Sequence, residues 1–565
     1  MKHYLALTIG PIYRTISLAR KTRELWMASF LFSRLMKNLL IEIEGTDDDK
    51  IGTILLPSTV GLKDNEKFHG AGVYHDRCIV ELDKPLEIEG IRAIIDNAIK
   101  ALNKELGGRT YESLSKYLLI YAARASFIEG ELGSQKDEKP EKYLVFELNK
   151  ILDSLELQTK YSIKESEGIN LILSNSYRVH KMYKLGYGAD DEVFRNYESD
   201  SNKIVRRLPS LLEIALTEFK DREDFGSTIT ETITKRLEQK KNNEKKISQV
   251  KEVEDSTDIE VSDDEILRDD ILEQEDILLQ LKQKYGDDFL LRHKYIAVVQ
   301  ADGDSIGNTI EALGNNSDNI KEFSHQLMQF ARDASDTLTE FGALPIYIGG
   351  DDLLFLAPLT NERKENIFSL LEKLRNKFLE QPSLKDNGAT LSFGVSVTYY
   401  KYPLSEALSK SYSLLNDEAK KYEWWVEKKE KSKNAIAFSV LKHSGQPFGA
   451  TFGQNTKSFR AWKSMLDLSS DQIMTSLLYK IDQLFPLLEH AAADSKLLKA
   501  FFDNHFNEVT DQEQKSFLNR AQEFIYHFFL EYNQGNSEEE YKKRQQALYG
   551  FLRLVQFFNT KDQHS

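Results

Sequence analysis

Three aspartates are the residues best placed for chemistry: Asp302 in the string ADGDSIG, and the adjacent pair Asp351 and Asp352 in IGGDD. The run KYIAVVQADGDSIG (294–307) reads as a buried strand entering a glycine-containing turn, so Asp302 falls where a side chain leaves the core for a cleft. LPIYIGGDDLLFLAP (344–358) reads as strand, two-glycine turn, acidic pair and strand, a hairpin with carboxylates at its tip. If that hairpin pairs beside the first strand, the three carboxylates converge. Like charges at such range repel and raise one another's pKa, and a divalent cation reverses the sign. Mg2+ (or Mn2+) prefers oxygen ligands and takes one or two protein carboxylates together with substrate phosphates. Asp302, Asp351 and Asp352 are therefore the candidate metal-binding and catalytic residues.

Their neighbours suit a nucleotide. Gly349 and Gly350 permit positive φ and let the backbone approach a ligand closely. Ser305, Ile306 and Gly307 open the next predicted helix, whose free N–H groups and positive dipole end favour a triphosphate. The reaction that fits is two-metal nucleotidyl transfer, one metal activating a hydroxyl and the other steadying the pyrophosphate that leaves. The competing reading is a solvated turn, since an Asp-Asp pair at a hairpin tip needs no ligand. Order separates the two readings: ADGD follows a strand, IGGDD lies between strands, and SFGVSV and EALSKSYSLLNDEAKKY come after, one consistent β-α-β-β-α-β sequence.

The elements around this core define an α+β chain. Residues 1–100 mix strand candidates (4–9, 51–57, 78–82) with a long helical pattern after Gly10-Pro11. Residues 101–235 are mostly helical in pattern. Residues 236–285 form a charged linker and a connecting helix; from 236 to 265 bases give way to acids with hardly any large apolar side chain, too little burial to offset ordering entropy. The ferredoxin-like palm order occupies 286–445, and 446–565 carries four helical patterns (about 470–495, 497–507, 511–533 and 537–559) that predict a helical bundle.

Composition narrows the class. Of 565 residues, 41% are apolar and 29% charged, which fits a folded globular chain and neither a disordered nor a membrane-embedded one. A single cysteine, Cys78, excludes an intrachain disulfide and any zinc site built on paired cysteines. The longest early apolar stretch is interrupted by polar residues and no signal peptide is legible, which predicts a cytoplasmic protein without membrane contact. A net charge of −15 repels nucleic-acid phosphates, so any nucleic-acid contact must be local or carried by a partner. The basic run Arg14, Arg20, Lys21 and Arg23 reads as a solvated helix face, and the aromatic set around Phe501, Phe502, Phe506, Phe524 and Phe528 as bundle core.

On these motifs the chain resembles the large palm-domain subunit of type III CRISPR effector complexes of the Cmr subtype, itself related to the GGDEF cyclases. TIGPIYRTISLARKTRELWMASFLFSRL (8–35) is similar to that subunit's first palm, and ADGDSIG with IGGDD to its second. The resemblance implies two ferredoxin-like, nucleotidyl cyclase-like palm domains, the first degenerate, with an intervening helical domain and a C-terminal helical bundle. It implies assembly with other Cmr-type subunits, guide RNA and target RNA. On target capture, the 3′-hydroxyl of one ATP would attack the α-phosphate of another, giving a nucleotide second messenger. That product is cyclic oligoadenylate, or AMP joined to another acceptor such as S-adenosylmethionine. It assigns Asp302 and Asp352 as metal ligands, Asp351 as sharing a metal or orienting the nucleotide, Ser305 to Gly307 as phosphate-holding, and Lys420 as a phosphate-binding lysine.

The chain also departs from the family. It starts directly at the palm, and its only His-Asp dipeptide, His75-Asp76, reads as a turn, so no HD-type DNase is expected. The family's paired-cysteine zinc site is missing, and Ser305 stands where relatives often carry another residue. A silent ATP-binding scaffold subunit is the alternative reading. A free-standing diguanylate cyclase fits less well, because GGDD lacks that family's usual ending and a second palm precedes it.

Overall fold

A computed structural model describes residues 1–45, 50–60, 62, 68–128, 142–157, 166–188, 195–198, 204–220, 222, 275–426, 429–442, 446–468, 471–532 and 537–562. The first sheet contains β1 (Lys2–Gly10), β2 (Gly52–Leu56), β3 (Arg77–Leu82) and β4 (Leu119–Phe127), in the order β2-β3-β1-β4 with antiparallel neighbours. Helix Thr22–Glu44 follows β1 and helix Ile88–Glu105 follows β3. A β-α-β-β-α-β chain with the fourth strand beside the first is the ferredoxin-like arrangement. Thr22–Glu44 buries most of its circumference, with Leu25, Trp26, Leu31 and Leu35 fully enclosed and even Ser29, Ser33 and Asn38 buried.

The fourth strand, LIYAARASF, lies beyond residue 100, inside the span expected to be helical. Its alanines carry helix propensity and it is only partly buried, so alternation is weak; full-length pairing with β1 decides its state. Helices Leu144–Glu156, Ser166–Ser174 and Ser176–Gly186 follow, then a small ribbon of β5 (Arg195–Glu198) and β6 (Ile204–Arg207). Of the expected linker, 236–274 lies outside the described residues, and Glu275–Tyr285 is helical.

The second sheet repeats the arrangement. Its strands are β7 (Tyr295–Asp304), β8 (Leu344–Gly349), β9 (Asp352–Pro358) and β10 (Thr390–Tyr399), extended, after a separate ribbon of β11 (Glu423–Val426) and β12 (Lys429–Ser432), by β13 (Ala435–Leu441) and β14 (Phe448–Gly453). The order is β14-β13-β10-β7-β9-β8, with β13 parallel to β10 and β14 antiparallel to β13. Strand β14 lies beyond 445, inside the span expected to be a helical bundle. At Gly449 a Cβ would overlap the Phe438 carbonyl of the neighbouring strand.

Four C-terminal helices fall at Asp471–Ala491, Ser495–His505, Gln512–Glu531 and Glu538–Asn559, and Phe501, Phe502, Phe506, Phe524 and Phe528 are buried. Arg14 and Arg20 are exposed, whereas Arg23 is buried and does not belong to a solvated face.

The chain divides into two compact units, Met1–Pro209 with Ser305–Phe355 and Lys373–Thr390, and Ser210–Asp304 with Leu356–Glu372 and Leu391–Ser565. In the second, Phe438, Phe452, Trp462 and Phe551 form an aromatic core, and the Trp462 indole N–H donates to the Phe551 carbonyl at 3.0 Å. Among the described residues no helix is long and apolar enough to cross a membrane.

Candidate functional site

Strand β7 is apolar through YIAVV and turns polar at its end, ADGD, although Gly303 and Asp304 stay buried there. Asp302 is half-buried at that point. The Lys420 ammonium donates to the Asp302 carboxylate and, at 3.1 Å, to the Gly303 carbonyl. Lys420 stands on a tight 3-10 turn, Ala419–Lys421, after a wide π-helical turn, Leu414–Glu418, that continues helix Leu404–Ser413. Gly394 of β10 allows this close packing: a Cβ there would overlap the Ser411 carbonyl and lie 2.5 Å from the Leu415 nitrogen. Burial pushes the Lys420 ammonium down to about 8, and the positive Lys433 adds to the shift. A lysine predicted to bind phosphate and an aspartate predicted to bind metal thus meet within one unit.

Asp304, which sequence reasoning did not select, positions this end of β7. It is buried, accepts from the Ser392 hydroxyl at 2.7 Å and from the Asn434 backbone N–H at 2.9 Å, and so ties β7 to β10 and to the start of β13. Lys433 and Asn434 both have left-handed φ, at 58° and 46°, and the Lys433 N–H donates to the Tyr422 carbonyl at 2.9 Å, closing the base of the β11–β12 ribbon beside Lys420. A repeated acid in DGD was the only signal for Asp304.

The other compact unit contains the hairpin tip. Gly350 has φ 79° and makes the turn, which a side chain would strain. Gly349 does not use positive φ, contrary to expectation; a Cβ on it would overlap the hydroxyl and ring of Tyr347. Its glycine makes room for a side chain of the same strand. Burial raises the Asp351 carboxyl to about 6, partly offset by a backbone hydrogen bond. Burial, together with the charges of Asp351 and Asp76, holds Asp352 well above the carboxylate range, although Asp352 keeps surface open to solvent.

His75-Asp76 lies in irregular backbone just before β3, and it does more than turn the chain. Asp76 contributes negative charge at Asp352 and at the Tyr347 phenol, a long-range proximity that no local pattern announces.

Ser305, at φ 62°, precedes helix Ile306–Leu313 without capping it through its side chain. Ile306 is half-buried and Gly307 exposed, with room for a Cβ, so Gly307 is not forced by the surrounding protein.

Among the described residues no three His, Cys, Asp or Glu side chains form a metal cage on their own. Carboxylate oxygens, as at Asp302 in one unit and at Asp351 and Asp352 in the other, are the hard donors that Mg2+ prefers. Crowded negative charge at Asp351, Asp352 and Asp76 is what a divalent cation would relieve.

Comparison with known proteins adds family and fold. Residues 295–437 match the model of the Cas10/Cmr2 second palm domain, and residues 4–105 that of the CRISPR-associated protein Cmr2, N-terminal. A 188-residue stretch is 30% identical to the CRISPR system Cmr subunit Cmr2 of Pyrococcus furiosus, spanning 28% of this chain and 20% of that relative. A type III-B Cmr-beta structure in the apo state superposes with TM-score 0.50 at 11% identity, over 93% of this chain and 77% of the other. A Csm1-Csm4 cassette in complex with cA4 gives TM-score 0.48 at 11% identity, over 99% and 70%.

Proposed function

We propose, for this member of the Cas10/Cmr2 family, that the second palm is a nucleotidyltransferase joining adenylate units from ATP when a type III CRISPR complex captures target RNA. The observation that carries the reading is the Lys420 ammonium held on Asp302 and the Gly303 carbonyl, a cation for phosphate beside a carboxylate for metal at one strand end.

Asp302, Asp351 and Asp352 would hold Mg2+ or Mn2+, which supplies charge neutralisation and hydroxyl activation when bound. Lys420 would leave Asp302 for the triphosphate, and the bare N–H groups after Ser305 would receive the same phosphates. In the reaction a new O–P bond forms between the 3′-hydroxyl of one ATP and the α-phosphorus of the next. The bond from that phosphorus to the bridging oxygen breaks, pyrophosphate departs, and the hydroxyl proton passes to solvent. The product is cyclic oligoadenylate, or AMP on another acceptor such as S-adenosylmethionine. Other Cmr-type subunits would hold most of the guide and target RNA, as the net charge of −15 favours.

Incubating the assembled complex with labelled ATP, Mg2+ and target RNA tests this. A labelled product that the Asp351→Asn/Asp352→Asn double variant does not make supports the reading. No product, or an undiminished one from the variant, leaves the chain an ATP-binding scaffold.

A further inference from the structure

We propose that Tyr347 is a further residue of the nucleotide site: it is the side chain for which Gly349 is glycine, and its ring and hydroxyl seat a nucleoside triphosphate at the Asp351-Asp352 turn. The proposal rests on the nucleotidyltransferase reading and extends it to a residue outside the acidic motif.

Positions 347 and 349 share a face of β8, because side chains alternate along a strand. Ile346 and Ile348 occupy the opposite face and are fully buried. The Tyr347 ring leans along the strand over Gly349, so that a Cβ at 349 would coincide with its hydroxyl and its outer ring carbons. The backbone beneath the ring is fixed on both sides. The Ser29 hydroxyl donates to the Ile346 carbonyl at 2.9 Å, the Gly72 N–H donates to the same carbonyl at 3.2 Å, and the Ile348 N–H donates to the Gly72 carbonyl at 2.8 Å.

Immediately after, Gly350 turns the chain and delivers Asp351 and Asp352. The space that an open glycine would leave for a ligand is therefore surfaced by a phenol. A tyrosine phenol is protonated at neutral pH, so it meets a phosphate or ribose oxygen as a neutral hydrogen-bond donor. A carboxylate in its place would add repulsion to a site that must accept a polyanion.

The test uses the assembled complex with target RNA and compares Tyr347→Phe, Tyr347→Ala, Gly349→Ala and the double variant Tyr347→Ala/Gly349→Ala. Tyr347→Phe keeps the ring and removes one donor, so KM for ATP should rise about fivefold to tenfold with an unchanged melting temperature. Gly349→Ala should act by displacing the ring: its KM should match that of Tyr347→Ala, and the double variant should be no worse than either. The inference is overturned if Tyr347→Phe matches the unsubstituted complex, or if the Gly349→Ala effect multiplies undiminished onto Tyr347→Ala. Absence of product from the unsubstituted complex would instead remove the nucleotidyltransferase reading. Equilibrium binding of ATP to the same variants would then decide the role of Tyr347, with equal affinities counting against it.

Discussion

The Lys420 side chain and the Asp302 carboxylate form an ion pair at the end of β7, with the Gly303 carbonyl as a second acceptor. One ammonium thereby ties the side chain of Asp302 to the backbone of the residue after it. Lys420→Met leaves Asp302 without a counter-ion and the triphosphate without a cation. Initial rates with labelled ATP should show KM raised about tenfold to a hundredfold, the range for losing a hydrogen bond to a charged group. An unchanged KM would make Lys420 a structural counter-ion only.

Asp351 and Asp352 are adjacent acids, and Asp76 adds further negative charge at Asp352. Replacing both with Asn removes like-charge repulsion, so the ligand-free double variant should melt a few degrees higher than the parent at neutral pH while losing product formation. Thermal melts with and without Mg2+ check the same point from the other side: the cation should stabilise the parent and leave the variant unmoved.

Gly394 faces backbone atoms of Ser411 and Leu415, which cannot swing aside. Gly394→Ala should cost about 1–3 kcal/mol, the range for overpacking a filled interior. The turn bearing Lys420 should shift with it, so turnover should fall further than stability. Gly188→Ala is the control, since a Cβ there meets open space; its effect in denaturant titration should stay within about 0.5 kcal/mol.

Glu218 is half-buried beside Arg292, whose guanidinium grips it at 2.8 Å, and His293, whose Nε2–H donates to it at 2.8 Å. The His293 Nδ1 accepts from the Leu290 N–H at 2.9 Å, which fixes a neutral imidazole. Burial pushes Glu218 up, but the His293 hydrogen bond and the Arg292 charge outweigh it and bring the carboxyl to about 2. Burial lowers His293 despite the opposing pull of Glu218. Each group binds its proton less readily folded than unfolded, so both act in one direction. The His293 contribution is complete above about pH 6.5 and fades as pH falls below it. The Glu218 contribution is complete above about pH 4.5 and is lost on the way to pH 2, on the order of 3 kcal/mol in all. Glu218→Gln should flatten the acid limb of a urea-denaturation profile; an unchanged limb would sink this account.

Strand β7 and the hairpin were legible because an apolar run ending in ADGD, and a Gly-Gly-Asp-Asp turn between apolar strands, are local signals. Asp304 was not, because its partners Ser392 and Asn434 stand 88 and 130 residues away, and nothing local says that this carboxylate is buried. Tyr347 carries no local signal for the same reason. Its importance comes from leaning on Gly349 and from sharing a field with Asp76, which enters from the start of β3. Strand β4 was hidden by composition, its alanines favouring helix until pairing with β1 overrides them.

Strand β8 ends the six-stranded sheet, yet its outer rim is not bare, since Gly72 bonds to Ile346 and Ile348 and thereby prolongs the ladder. The second palm therefore borrows its selvedge from a stretch encoded some 270 residues earlier. Residues 286–445 expressed alone would present raw amide and carbonyl groups along β8 and should self-associate in sedimentation runs. The first palm, on this view, is a chaperoning border for the second.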